Sequence, residues 1–205
     1  MGKSNLYSRT NIAALTTPSP SLQSLPNPPT GLAAFSPFLA EDNMIALGIW
    51  HELGLKHAMT SDVALDFLGA LSVRDYIDRR VRWIRVRKKM TPLIATAIEP
   101  FTESIVCGLY GSWALTRLLG ATTISLFVIH MVIWLIIDLG VKAALETNVK
   151  GVGPQTNRMV FILAWIAREI MALPIWVYGI TSSEVVWRGR KYRIMSSGSW
   201  STLGQ

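Results

Sequence analysis

Two carboxylates stand side by side at Glu41 and Asp42, and a basic and aromatic cluster, Arg79-x-x-Arg82-Trp83, follows them in the chain. A positioned carboxylate can take the proton of a hydroxyl as that hydroxyl attacks an electrophile. A guanidinium fork can hold phosphate oxygens in bidentate fashion while negative charge gathers on a leaving group. A flat indole offers a wall for a ligand or an anchor at a membrane interface. Each has a plainer reading too. Acids are favoured in the first turn of a helix by its dipole and by capping. Arginines with one Trp also make an ordinary basic surface.

The elements that must position these groups are uneven. Six of the ten prolines fall between Pro18 and Pro37, and residues 1–40 show no helical or strand period. That stretch reads as a mostly irregular segment. Met1 to Thr10 is polar, unlike a signal peptide. From Glu41, Ile45, Leu47, Ile49, Trp50 and Leu53 recur as in a short helix that Gly54 can end. His57 to Leu68 alternates enough for a strand or two. Ser72 opens a clearer helix, with Asp75 placed as in a capping box and Pro92 beyond its end. Residues 74–89 hold eight basic and two acidic side chains, a net +6 of the chain's +7. Val73, Tyr76, Ile77, Val81 and Ile84 form its apolar stripe. A basic amphipathic helix of this kind is expected to lie on a membrane surface.

The chain of 205 residues is 50% hydrophobic and 16% charged, with a mean hydropathy of +0.34. That excludes a disordered, solvating chain. The apolar residues concentrate after Pro92. Ala121 to Val141 is the strongest span, Met159 to Ile180 the second, and Phe101 to Leu119 the weakest. Basic residues are expected on the cytoplasmic side. The preferred arrangement is a hairpin over 93–141 and a partial insertion over 159–181, where Arg168–Glu169 is expensive at mid-bilayer. His130, inside the strongest span, reads as a helix–helix hydrogen bond. The single Cys107 excludes a disulfide framework. No residue spacing marks a metal site, and the local basic excess is no footprint for nucleic acid.

Taken in order, an ED pair, an Arg-x-x-Arg-Trp motif and then apolar spans resemble membrane glycosyltransferases with a GT-A-type domain. The segments AEDNMIALGIWHELGLKHAMTSDVAL, RRVRWIRVRKKM, IEPFTES, AWIARE and VVWRGRKYRI narrow this. With them the chain resembles the ceramide glucosyltransferases of glycosyltransferase family 21, the fungal members most. The resemblance implies an α/β, partial GT-A-type domain followed by an α-helical membrane region of two to three transmembrane or re-entrant helices. Residues 1–40 would be an irregular part of the catalytic domain and 41–71 its acceptor side. An interfacial helix at 72–91, membrane helices at 92–181 and a basic, then polar, tail at 182–205 would follow.

The implied reaction moves glucose from UDP-glucose to the primary hydroxyl of ceramide with inversion, at a Golgi membrane with the catalytic part facing the cytosol. Asp42 would be the general base and Glu41 its orienting neighbour. Arg82, helped by Arg79, would stabilise the departing UDP, and Trp83 would wall the substrate. Trp187, Arg188, Arg190 and Tyr192 would meet lipid at the membrane surface. Members of the family also carry a nucleotide-binding half with Asp ligands for Mg2+ or Mn2+. No Asp precedes Asp42 here. The chain is therefore expected to be a fragment, or a truncated gene model, that does not turn over UDP-glucose alone. The alternatives are a non-catalytic lipid-binding protein and the tail of a polysaccharide synthase.

Overall fold

Burial, more than period, organises the start of the chain. The computed structural model describes residues 5–58, 69–148, 156–187, 189–195 and 200–202. Over the first forty residues it places helix α1 (Arg9–Ala14), helix α2 (Pro20–Gln23) and a 3-10 turn at Gly31–Phe35. The sequence predicts a mostly irregular segment there, without these short pieces. Pieces of four to six residues are too short to carry a readable period, so the difference is physical. Leu15, Ala34, Phe35 and Phe38 pack on Ile45 and Ile49 of helix α3 (Glu41–His51). Hydrogen bonds tie the loops, with the Thr17 hydroxyl donating to the Ala34 carbonyl at 2.6 Å. After α3, Gly54 takes φ +63°, and the Leu55 N–H reaches the Ile49 carbonyl at 3.2 Å.

Helix α4 (Val73–Met90) begins with a full capping box. Ser72 Oγ accepts from the Asp75 N–H at 3.1 Å, and the Ser72 N–H donates to Asp75 Oδ2 at 2.9 Å. The bonds from Ser72 hold the Asp75 carboxyl below the usual carboxylate range. The Arg87 carbonyl accepts the Thr91 N–H at 2.9 Å, and Pro92 ends the run.

The apolar stripe of α4 meets protein. Val81 and Ile84 are buried, and a Cβ built on Gly179 would lie 2.7 Å from Ile84 Cγ2. Lys88 Nζ donates to the carbonyls of Ile180, at 2.8 Å, and Ser182, at 2.6 Å. Arg85 donates to the Glu184 carbonyl at 2.7 Å. Of the stripe that the sequence offers to a membrane, the chain itself covers Val81 and Ile84, while Tyr76 and Ile77 are half-buried and Val73 is exposed. Replacing Gly179 with Val should force Ile84 aside and destabilise the protein by about 1–3 kcal/mol, the usual cost of overpacking. Thermal melting in detergent checks this, with Gly179→Ala expected to fall between Val and the native residue.

Strands β1 (Glu184–Trp187), β2 (Arg190–Ile194) and β3 (Trp200–Thr202) form an antiparallel sheet in chain order. Val185 pairs with Tyr192 across the first hairpin, whose turn holds Gly189 at φ +76°. Val185 and Ile194 join Ala40 and Val86 in a second core. This sheet is the only β-structure beyond isolated bridges among the described residues, which are otherwise mostly helical. The expected α/β core is not present in them. Of the stretch expected to form strands, 57–58 are not extended in a ladder and 59–68 lie outside the described residues.

Residues Met1–Pro92 and Gly179–Gln205 form one compact unit, and Leu93–Tyr178 form the other. In the second, α5 (Leu93–Ile98) and a 3-10 turn at Glu99–Thr102 meet α6 (Ser104–Leu119) at a bend of 75°. Gly120, at φ +66°, closes α6 before α7 (Thr123–Asn148), and α8 (Arg158–Ile180) follows. Helices α7 and α8 are each long and apolar enough to cross a membrane, and the bent pair makes up to three such segments. The sequence predicts a partial insertion at 159–181. The structure instead keeps α8 continuous through Pro174 and puts the break before α6, where Glu103 is extended.

The reason lies in the partners of Arg168 and Glu169. Glu169 is buried and accepts from the Ser104 hydroxyl and from Arg168. Arg168 also donates to Asp138 Oδ2 at 2.7 Å, and the same oxygen accepts the Trp165 indole N–H at 2.7 Å. His130 Nε2 donates to the Ser104 carbonyl at 3.0 Å. Gly108 makes room for that ring, since a Cβ there would come within 2.6 Å of it.

Candidate functional site

An open cleft of about 720 Å³ lies between α3 and α4. On the 3.6-residue period, Arg79, Trp83, Val86 and Met90 share one stripe of α4, and all four line it. From α3, Asn43, Leu47 and Trp50 form the facing wall, and His57 closes one side. Ala40 and Val86 belong both to this lining and to the core beneath the sheet hairpin. The floor is therefore anchored, while Trp50 and Trp83 stay 52% and 40% exposed.

Of the five residues that the motifs single out, Arg79 and Trp83 line the cleft. Arg82 stands to one side of their stripe and is part-buried. Burial, and then the charge of Arg79, push its guanidinium below the ordinary arginine range. No described residue gives Arg82 a hydrogen bond or an ion pair. An uncompensated, part-buried guanidinium favours an anion.

Glu41 and Asp42 occupy the first turn of α3, where the helix dipole favours acids. Asp42 Oδ1 accepts the Asn43 N–H at 2.8 Å. Neither acid lines the cleft, but their neighbours Ala40 and Asn43 do. Tyr7, which the motifs do not mark, sits beside the pair. Its hydroxyl donates to the Asp42 carbonyl at 3.4 Å, a long bond. Burial first, and then the Asp42 and Glu41 carboxylates, raise the Tyr7 phenol above its usual range.

The C-terminal candidates separate. Tyr192 packs on the second core and is half-buried. Its place opposite Val185 explains this, since the two side chains share one face of the hairpin. Arg190 is exposed at the turn and pairs with Trp187 along the ladder. Arg188 lies outside the described residues. Neither Arg190 nor Tyr192 lines the cleft.

Trp50 and His57 are the functional candidates that motif reasoning misses. Their rings stack at 6.4 Å with an interplanar angle of 12°. An exposed aromatic within a helix carries no signal of its own, and only the fold brings it opposite Trp83. Among the described residues, no group of three His, Cys, Asp or Glu could hold a metal ion. The Mg2+ or Mn2+ implied by the resemblance does not fit this donor set.

A cationic, aromatic-walled cleft in one unit and helices able to cross a membrane in the other define the class: an integral membrane protein with an open cleft outside its apolar helices. The profile of Glycosyl transferase family 21 matches residues 28–200, and the chain belongs to that family. It is 38% identical over 180 residues to the ceramide glucosyltransferase of Candida albicans, covering 78% of this chain and 33% of that protein. With the ceramide glucosyltransferase of Komagataella phaffii it shares 33% identity over 195 residues, 82% of this chain and 38% of that protein. With that of Gibberella zeae it shares 33% over 230 residues, 95% of this chain and 43% of that protein. The chain thus spans well under half the length of these curated relatives. They do not favour the polysaccharide-synthase reading. No solved structure matches the chain.

Proposed function

We propose that the chain is the acceptor side and membrane region of an inverting ceramide glucosyltransferase with a GT-A-type catalytic domain. The observation that carries the reading is Arg82, part-buried, beside Arg79, without a described carboxylate partner, in the motif that the family resemblance marks. In the proposed reaction, the primary hydroxyl of ceramide attacks the anomeric carbon of UDP-glucose. Asp42 takes the hydroxyl proton, the bond from carbon to the UDP oxygen breaks with its electron pair, and configuration inverts. Glu41 orients Asp42. Arg82 and Arg79 take up the charge that appears on the departing phosphate. Trp83 and the apolar floor receive the acceptor.

Ceramide is too apolar to leave a bilayer, so the reaction belongs at a membrane surface. The exposed side of α4, with Trp83 and its arginines, would face the headgroups, with Trp187, Arg188 and Arg190 proposed as further lipid contacts. The cytosolic face of the Golgi membrane is the proposed setting. Any Mg2+ or Mn2+ would need ligands beyond the described residues, and the roles above rest on this chain's own side chains.

The test is a chimera in which residues 28–200 replace the matching region of the Candida albicans relative. Expressed in membranes and given UDP-glucose and ceramide, it should form glucosylceramide. A correctly inserted chimera that binds ceramide yet forms none would favour the non-catalytic reading instead.

A further inference from the structure

The α3–α4 cleft is rich in hydrogen-bond donors and poor in acceptors. Arg79, Arg80 and Arg87 only donate, and so do the indoles of Trp50 and Trp83. The Thr91 hydroxyl is already turned to the Arg87 carbonyl at 3.0 Å. Its oxygen can still accept, so the side-chain acceptors in the lining are Thr91, Asn43 and His57.

The tautomer of the neutral His57 ring is set by its partner. His57 Nε2 lies 3.1 Å from the Ala46 carbonyl. A carbonyl oxygen can only accept, so Nε2 carries the hydrogen and the neutral ring keeps its lone pair on Nδ1. The ring is also stacked on Trp50. Two contacts therefore hold the imidazole, and Nδ1 has no partner among the described residues. An acceptor held this way has little freedom left to lose when a ligand arrives.

We infer that His57 is an acceptor-lipid binding residue, whose Nδ1 takes a hydrogen bond from the hydroxyl or amide N–H of a sphingoid headgroup in the cleft. This deepens the function proposed above and rests on it. The chemistry selects the ligand class. A ceramide headgroup brings two hydroxyls and an amide N–H, all donors, on an apolar body suited to Leu47, Val86 and Met90. A phosphatidylcholine headgroup brings no donor at all. The arginines would donate to its phosphate, but His57 would gain nothing from it.

Asn and Gln separate the two nitrogens of the ring. Asn places its amide near the Nδ1 position and Gln near the Nε2 position. The full 205-residue chain in nanodiscs would be labelled with a diazirine-bearing ceramide, with a diazirine-bearing phosphatidylcholine in parallel, and the labelled peptides mapped. The native chain should label in α3 and α4 with ceramide at least fivefold over phosphatidylcholine. His57→Asn should keep at least half of that labelling, whereas His57→Gln and His57→Phe should lose it about tenfold. Melting temperature should run the other way, with Gln, which keeps the bond to Ala46, more stable than Asn.

Ceramide labelling of His57→Phe at the native level would overturn the inference and leave the proposed function standing. So would labelling that follows melting temperature, Gln above Asn, because that order marks a purely structural histidine. A native chain that labels equally with both lipids, or with neither, would overturn the acceptor cleft and the inference together.

Discussion

Asn at position 42 should lower kcat for glucosyl transfer in the chimera by about 10²–10⁴-fold, the range over which a positioned general base contributes. KM for ceramide and for UDP-glucose should change little. Asp42 sits in the first turn of α3, and its Oδ1 accepts a neighbouring N–H that the Asn oxygen can also accept. The fold should therefore survive, and the circular dichroism spectrum with it. What Asn cannot do is hold the proton of the attacking hydroxyl. Glu41→Gln, altering a neighbour on the exposed side of the same turn, should cost less. Equal losses at both positions would point to capping charge, and an active Asp42→Asn chimera would remove Asp42 from the chemistry.

Leu in place of Arg168 should be the most destabilising single change in the membrane unit, by about 3–5 kcal/mol, because it leaves buried carboxylate charge without its cation. Arg168 donates to both Asp138 and Glu169, and Glu169 is only 6% exposed. Removing all three charges together, as Asp138→Leu, Arg168→Leu and Glu169→Leu, should recover much of that loss. Unfolding in mixed micelles, followed by tryptophan fluorescence, reads the difference. A triple variant no more stable than Arg168→Leu would show that packing, and not desolvated charge, sets the cost.

How much of this was legible in the sequence depends on the range of the forces. Helix α4 was legible at both ends, because Ser72, Asp75 and Pro92 act within one turn of the residues they limit. The apolar stretches of α7 and α8 announce themselves by length alone. Which way α4 turns its apolar stripe was not legible. Lipid and protein both satisfy an apolar face, and only the fold shows Gly179 and the sheet hairpin against it. That hairpin did leave a trace, in the alternation of Val185, Tyr192 and Ile194 around Gly189. Its strands of four and five residues are short enough for the basic side chains to mask it. Within the cleft, the motif positions Arg79, Arg82 and Trp83 came from a spacing on one helix. Trp50 and His57 came from a second segment, and nothing local ties them to the first.

The two inward cations of α4 also change how its charge should be counted. Lys88 and Arg85 are turned to the backbone carbonyls of Ile180, Ser182 and Glu184. Carbonyl dipoles screen them, and burial together with Lys89 and Arg85 lowers the affinity of Lys88 for its proton. A vesicle carrying anionic lipid would therefore sense fewer positive charges than the sequence of this helix lists. At about 1 kcal/mol per surface Lys or Arg, the difference is a visibly shallower salt dependence of attachment. The basic count of α4 is as much a measure of how its neighbour's backbone ends are sealed as of how strongly it is drawn to a membrane.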